Sequence, residues 1–220
     1  PVVVLAYAGW NDAGEAATTA AAHLLETFSA RKLATLSMEE FVDYTVVRPH
    51  VRLSDTGARQ VRWPDQEFFA IRSETSDFDL VVGLGVEPHL RWRGFSAAIA
   101  ELLDRIDAKL VILLGAFLDE VIYPQPIQVI GGSTDPELVA RLELPASSYE
   151  GPTGIVGVLG DELQTAGVPT LSLWARLPHY VQEQPNSRAA LALLQRVQAV
   201  TGFPLAKSAR ETAAATFDQE

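Results

Sequence analysis

The chain contains no cysteine, which excludes a disulfide framework and any thiolate metal centre. Lysine is scarce: Lys32, Lys109 and Lys207 are the only three among 17 basic residues, and none adjoins a glycine-rich loop. An ATP-dependent ligase reading is weakened by that, because such sites place lysine on the phosphates. No apolar run approaches the roughly 20 residues of a membrane span. There is no surplus of positive charge either. The formal net charge is −11 and the pI about 4.8, which opposes non-specific nucleic-acid binding, since that draws on a basic face to release counterions. Catalytic signatures are missing as well: G-x-S-x-G, H-E-x-x-H and a phosphate-binding G-x-G-x-x-G or P-loop do not occur. The four histidines, His23, His50, His89 and His179, lie far apart without metal-ligand spacing. No metal and no cofactor are expected. The chain starts directly in a strand, with neither methionine nor a charged leader, so it reads as trimmed and as cytoplasmic.

What is present is a core-forming α/β pattern. At 220 residues and 48% hydrophobic content, the chain can bury a core of its own. An apolar run, Val2 to Ala8, breaks at Gly9-Trp10-Asn11-Asp12-Ala13-Gly14 and passes into Ala17, Ala20, Ala21, Leu24, Leu25 and Phe28 at helical spacing. A buried strand that turns through glycines into a helix is where α/β proteins place ligand sites. Asp12 can cap that helix, with Glu15 as its capping-box partner. Strands and helices then alternate. Strands are expected at 33–38, 79–85, 110–114, 127–132 and 168–175, and helices over 95–106, from Pro136, from Pro152 to Gly167, and from Pro185 to Gly202. This is the pattern of a three-layer α/β fold: an open, mostly parallel sheet with helices on both faces. One domain is expected over 1–204, with 205–220 the start of a cut C-terminal helical extension.

Between Tyr44 and Ile71 the apolar period changes to two, and the turn sequence Ser54-Asp55-Thr56-Gly57 separates two strands. This predicts an antiparallel excursion at a sheet edge. Arg48, His50, Arg52, Arg59 and Arg62 crowd it. They read either as solvating charges that block edge pairing or as a protein contact surface. The C-terminal ends of parallel strands converge on one rim, which places Asn11, Asp12, Glu87, His89, Arg93, Tyr149, Glu150, Thr153 and His179 as candidates for a shared cleft, together with Asp119 and Arg176. Carboxylate, imidazole and guanidinium side by side serve acid/base chemistry or hold an anion. Loops at such a rim are polar in any α/β protein, so each residue also has a purely structural reading. Trp10 and Trp92 read as core or interface, and, as large aromatics beside apolar strands, are expected in the core. The glycines Gly154, Gly157 and Gly160 line one side of a helix and suggest close approach to the sheet or to another subunit.

Taken in order, Gly9-Trp10-Asn11-Asp12-Ala13-Gly14, Arg48-Pro49, Glu87-Pro88 with Trp92, Gly151-Pro152-Thr153-Gly154-Ile155 and Pro178-His179-Tyr180 resemble the proteasome assembly chaperone family in its actinobacterial branch. The resemblance spans nearly the whole chain. It implies a fold similar to nucleoside phosphorylases, self-association into an oligomer such as a trimer, and a role in assembling proteasome rings or another protein complex. The C-terminal hydrophobic-Tyr-X tail used by such chaperones has no counterpart in Phe217-Asp218-Gln219-Glu220. A non-enzymatic homo-oligomeric assembly factor is therefore the first expectation. A small-molecule binder or enzyme built on Asp12, Glu87, His89 and Arg93 is the alternative.

Overall fold

The computed structural model describes residues 1–73, 76, 78–122, 125–145, 147–180 and 185–203. The expected extension at 205–220 lies outside them. In chain order the strands are β1 (Val2–Ala8), β2 (Arg31–Leu36), β3 (His50–Leu53), β4 (Arg59–Arg62), β5 (Gln66–Ile71), β6 (Leu80–Val86), β7 (Leu110–Asp119), β8 (Val129–Ser133) and β9 (Thr170–Pro178). The helices are α1 (Ala16–Thr27), α2 (Trp92–Arg105), α3 (Pro136–Arg141), α4 (Ile155–Thr165) and α5 (Ser187–Thr201).

Seven strands form one sheet in the order β2-β5-β6-β1-β7-β9-β8. The inner four, β6, β1, β7 and β9, run parallel, and antiparallel strands close both ends. β1 sits between β6 and β7 with both faces covered, which is why its sequence is apolar throughout rather than alternating. Its pleat still sorts the side chains. Val2, Val4 and Ala6 join the core beneath α1 and α5, whereas Val3, Leu5 and Tyr7 join the core beneath α2 and α4. The result is the expected three-layer α/β sandwich.

Several expectations change in detail. The hairpin does not extend the main sheet: β3 and β4 pair only with each other, as a separate two-stranded sheet. Its turn is the expected one, with Gly57 at φ 78° and its N–H donating to the Ser54 carbonyl. The first helix does not follow a capping box. A 3-10 turn at Ala13–Glu15 intervenes, with Gly14 and Glu15 both at positive φ, and α1 starts at Ala16. Asp12 nevertheless caps it from a distance, its Oδ1 accepting the N–H groups of Ala17 at 2.7 Å and Thr18 at 3.2 Å. α4 opens at Ile155 rather than Pro152, because Gly154 has extended backbone (φ −96°, ψ −172°) and stands outside the helix as its N-cap. Asn186 caps α5 by accepting the Ala189 N–H at 2.9 Å.

Candidate functional site at the C-terminal sheet edge

Where β1 and β6 end side by side, the chain leaves β1 through Gly9, held at φ 135°, and leaves β6 directly into Glu87. The Glu87 carboxylate occupies the space between these exits and the start of α4. Oε1 accepts the Asn11 side-chain amide at 2.7 Å and the Ile155 backbone N–H at 2.8 Å, and Oε2 accepts the Trp10 backbone N–H at 3.1 Å. Ile155 opens α4, so the negative charge lies at a helix N-terminus, where free N–H groups and the helix dipole favour it. The close side chains of Asn11 and Glu87 explain the glycines of this corner. A Cβ on Gly154 would come within 2.2 Å of Asn11 Nδ2, and one on Gly9 within 3.1 Å of the Glu87 Cβ. Asn11 is buried, its Oδ1 has no partner among the described residues, and its backbone carbonyl accepts the Ala116 N–H from β7. Glu87 and Asn11 thus lace together the ends of β1, β6 and β7 and the first turn of α4.

The other candidates do not join this pair. Asp12 is buried next door but faces α1, where it also accepts the Thr18 hydroxyl. Burial raises its carboxyl above the ordinary range, against the pull of the Thr18 and Ala17 bonds. His89 turns to the 38–47 segment: its ring Nδ1 accepts the Asp43 backbone N–H at 3.1 Å, and its backbone N–H donates to the Phe41 carbonyl. Arg93 and Glu150 are exposed. Tyr149 donates its hydroxyl to the Pro152 carbonyl, and Thr153 packs over Gly157. His179 is exposed, edge-on to the Tyr180 ring, and its backbone N–H donates to the Asp119 backbone carbonyl. The acid/base constellation that the residue types suggested is therefore not assembled at Glu87. Among the described residues no three potential metal ligands gather, and no helix is long and apolar enough to cross a membrane.

Two features escape sequence reading. Trp10, expected in the core, is 63% exposed, because the turn at Gly9 ties its backbone to Glu87 and swings the ring outward. Leu118, Ile122, Tyr149 and Tyr180 are exposed at the same edge. At the far end of that edge a cavity of about 530 Å³ is lined by Glu120 to Ile122, Gln125 to Gln128, Arg176 and Pro178. Arg176 binds the Asp119 carboxylate at 2.6 Å and the Gln128 amide oxygen, and this partner holds Asp119 below the ordinary carboxylate range. Asp119 and Arg176 were visible as rim residues, but no motif marks Gln125 or Gln128.

An open sheet with parallel inner strands, helices on both faces and a latched loop after β1 defines the class. The chain belongs to the PAC2 family, whose pattern matches residues 6–220. It is similar to the proteasome-assembly chaperone homologue Rv2125 of Mycobacterium tuberculosis, at 37% identity and a TM-score of 0.90, over 100% of this chain and 93% of that one. It is also similar to a PAC2 family protein of Streptomyces avermitilis, at 39% identity and a TM-score of 0.91, over 100% and 95% of the two chains. The archaeal proteasome activator PbaB of Pyrococcus furiosus shares the fold at 19% identity, with a TM-score of 0.77 over 99% and 91%. No curated protein matches the chain.

Proposed function

We propose that this protein is a non-enzymatic, homo-oligomeric assembly factor or scaffold of the cytoplasm, acting on proteasome subunits or on another protein complex. The observation that carries the reading is the commitment of Glu87. The carboxylate best placed for chemistry at the switch point of the sheet already accepts three N–H groups from loops it must hold still. Three of its roughly four acceptor sites are thus taken up in tying the corner together, and a rigid corner is the frame that a docking surface needs. That frame presents Trp10, Leu118, Ile122, Tyr149 and Tyr180 outward, and exposed aromatics are the side chains that anchor protein interfaces. The name of the Mycobacterium relative supports the same reading.

The test is affinity capture of the full-length protein from its native cytosol, followed by mass spectrometry. Stoichiometric proteasome subunits, or one other defined complex, support the proposal. Recovery of the bait alone counts against it.

The cavity beside Arg176 favours a second reading, a small-molecule binder or enzyme resembling nucleoside phosphorylases. A saturable rise in melting temperature with phosphate, nucleosides or sugar phosphates would support it. An unchanged melting temperature across that panel would remove it.

A further inference from the structure

Among the described residues, five buried side-chain atoms have no hydrogen-bond partner in the protein: Tyr7 Oη, both ends of the Gln66 amide, Ser96 Oγ and Asn11 Oδ1. Asn11 Oδ1 belongs to the corner already described, against Gly154. The other four lie on the face of the sheet that α2 and α4 cover. Tyr7 and Gln66 are fully buried there and Ser96 is 1% exposed. The large majority of buried polar side-chain atoms are hydrogen-bonded, and one left unpaired carries the full cost of its lost hydration.

The sheet register brings Gln66 and Tyr7 together. Tyr7 of β1 pairs with Gly85 of β6, and Gln66 extends the β5–β6 register by one residue beyond Glu67 and Leu84. The three residues therefore form one row across the sheet. Tyr7 and Phe68 belong to the core beneath α2 and α4, and Gln66, two residues from Phe68, points to the same face. Two glycines of β6 make room on that face in different ways. A Cβ on Gly83 would meet hydrocarbon, 2.5 Å from Leu5 Cδ2 and 3.0 Å from Phe68 Cδ1, whereas one on Gly85 would lie 2.1 Å from Gln66 Oε1. The place that a side chain at 85 would take is thus given to a neutral amide, with Tyr7 on its other flank.

Helix α2 closes the site from above. The Phe95 ring meets Tyr7 edge-on, with centroids 5.8 Å apart, and Ser96 follows on the buried side of the helix. A serine inside a helix ordinarily bonds the carbonyl one turn back, a bond that Ser96 does not make. Burial pushes the Tyr7 hydroxyl far above its ordinary pKa, so it stays protonated, able to donate and to accept. Together the three side chains offer neutral donors and acceptors in one enclosed place. An ion would need charged partners there.

We propose that Tyr7, Gln66 and Ser96 enclose an internal water site, in which ordered water joins β1 and β5 to α2. A buried water makes about three hydrogen bonds, so one or two molecules satisfy the four atoms. The water is a structural member of the fold, and the inference is independent of the assembly role proposed above.

A crystal structure of the full-length wild-type protein, at a resolution that shows ordered water, tests this directly. The expected result is enclosed density within about 2.7–3.2 Å of Tyr7 Oη and of the Gln66 amide. Protein atoms packed against these groups with no water density would overturn the proposal. So would a Gln66 amide bonded directly to the Tyr7 hydroxyl, or density for a molecule larger than water. In solution, oxygen-17 magnetic relaxation dispersion counts long-lived waters. The double variant Tyr7→Phe with Gln66→Leu, with its folding checked by circular dichroism, should lose at least one of them relative to the wild type. A folded double variant with an unchanged count would equally overturn the proposal, and if the variant does not fold, the wild-type density decides.

Discussion

Glu87 and Asn11, 76 residues apart in the chain, meet at 2.7 Å through carboxylate and amide, and the same carboxylate oxygen takes the Ile155 N–H at 2.8 Å. One side chain at the end of β6 thereby holds the turn after β1 and the first turn of α4. Hydrogen bonds to a charged group contribute about 1.5–3 kcal/mol each, and removing the acceptor leaves buried donors unpaired. Glu87→Ala should therefore lower unfolding free energy by about 3 kcal/mol or more. Glu87→Gln should cost about half of that, because its amide oxygen can keep Asn11 and Ile155 while its NH2 group opposes the Trp10 N–H. Urea unfolding followed by far-UV circular dichroism reads both. A wild-type midpoint for the alanine variant would show that the corner holds without its latch.

Gly154 tests the same corner from the other side. A methyl group there would sit 2.2 Å from Asn11 Nδ2 and 2.4 Å from its Oδ1, and the buried amide has nowhere to move. Gly154→Ala should cost about 1–3 kcal/mol, the usual cost of overpacking. Gly160→Ala, one turn into α4, meets only Leu113 Cδ1 at 3.4 Å. It should be neutral or stabilising by up to ~1 kcal/mol through helix propensity. The pair Asn11→Ala with Gly154→Ala should be less destabilising than the sum of the two singles, since the clash disappears with the amide. Additive losses would contradict the contact.

The architecture was legible because it is written in local periodicity. The apolar run of β1, the alanines of α1 and the strand-helix alternation after it each declare themselves within a dozen residues. Asp12, whose place before the helix marks it as a cap, does cap α1. Its partners were not legible, because Gly14 and Glu15 at positive φ insert a 3-10 turn that hydrophobic spacing does not register. The rim was legible only as a set. Sheet topology brings Asn11, Glu87, His89 and His179 to one edge, yet which of them touch depends on where each loop returns. His89 bonds the 38–47 segment and Glu87 the start of α4, and no motif encodes that choice. The detachment of the hairpin is non-local in the same way: period-two spacing specifies a strand, not the sheet it joins.

Trp10 separates stability from recognition. It is the large aromatic of the β1 loop, and its exposed ring does not contribute to the hydrophobic core. Trp10→Ala should therefore change unfolding free energy by no more than about 0.5 kcal/mol. If the edge is a protein-docking surface, the same change should weaken capture of the partner at least tenfold, about 1.4 kcal/mol, as loss of an aromatic anchor does. Titration of wild type and variant against the captured complex supplies the number. Equal affinities would move the docking surface away from this edge.

Two carboxylates should tilt the acid limb of stability in opposite directions. Asp12 has its carboxyl raised in the fold by burial, so the native state holds its proton more tightly than the unfolded chain. Its contribution is full below the unfolded value of about 4 and is lost as pH rises through the higher folded value. Asp119 is lowered by the Arg176 hydrogen bond. Its contribution is present above about 4 and is lost as pH falls through the lower folded value. Asp12→Asn should thus remove a gain in stability on acidification from neutral pH toward 4. Asp119→Asn should remove a loss at still lower pH, of no more than about 1 kcal/mol because the pair is partly solvated. Urea midpoints at half-unit steps from pH 7 to pH 3 resolve the two windows. If Asp119→Asn altered the slope above pH 5, or Asp12→Asn left the slope between pH 7 and 4 unchanged, the burial of Asp12 and the pairing of Asp119 with Arg176 would not be governing the acid response.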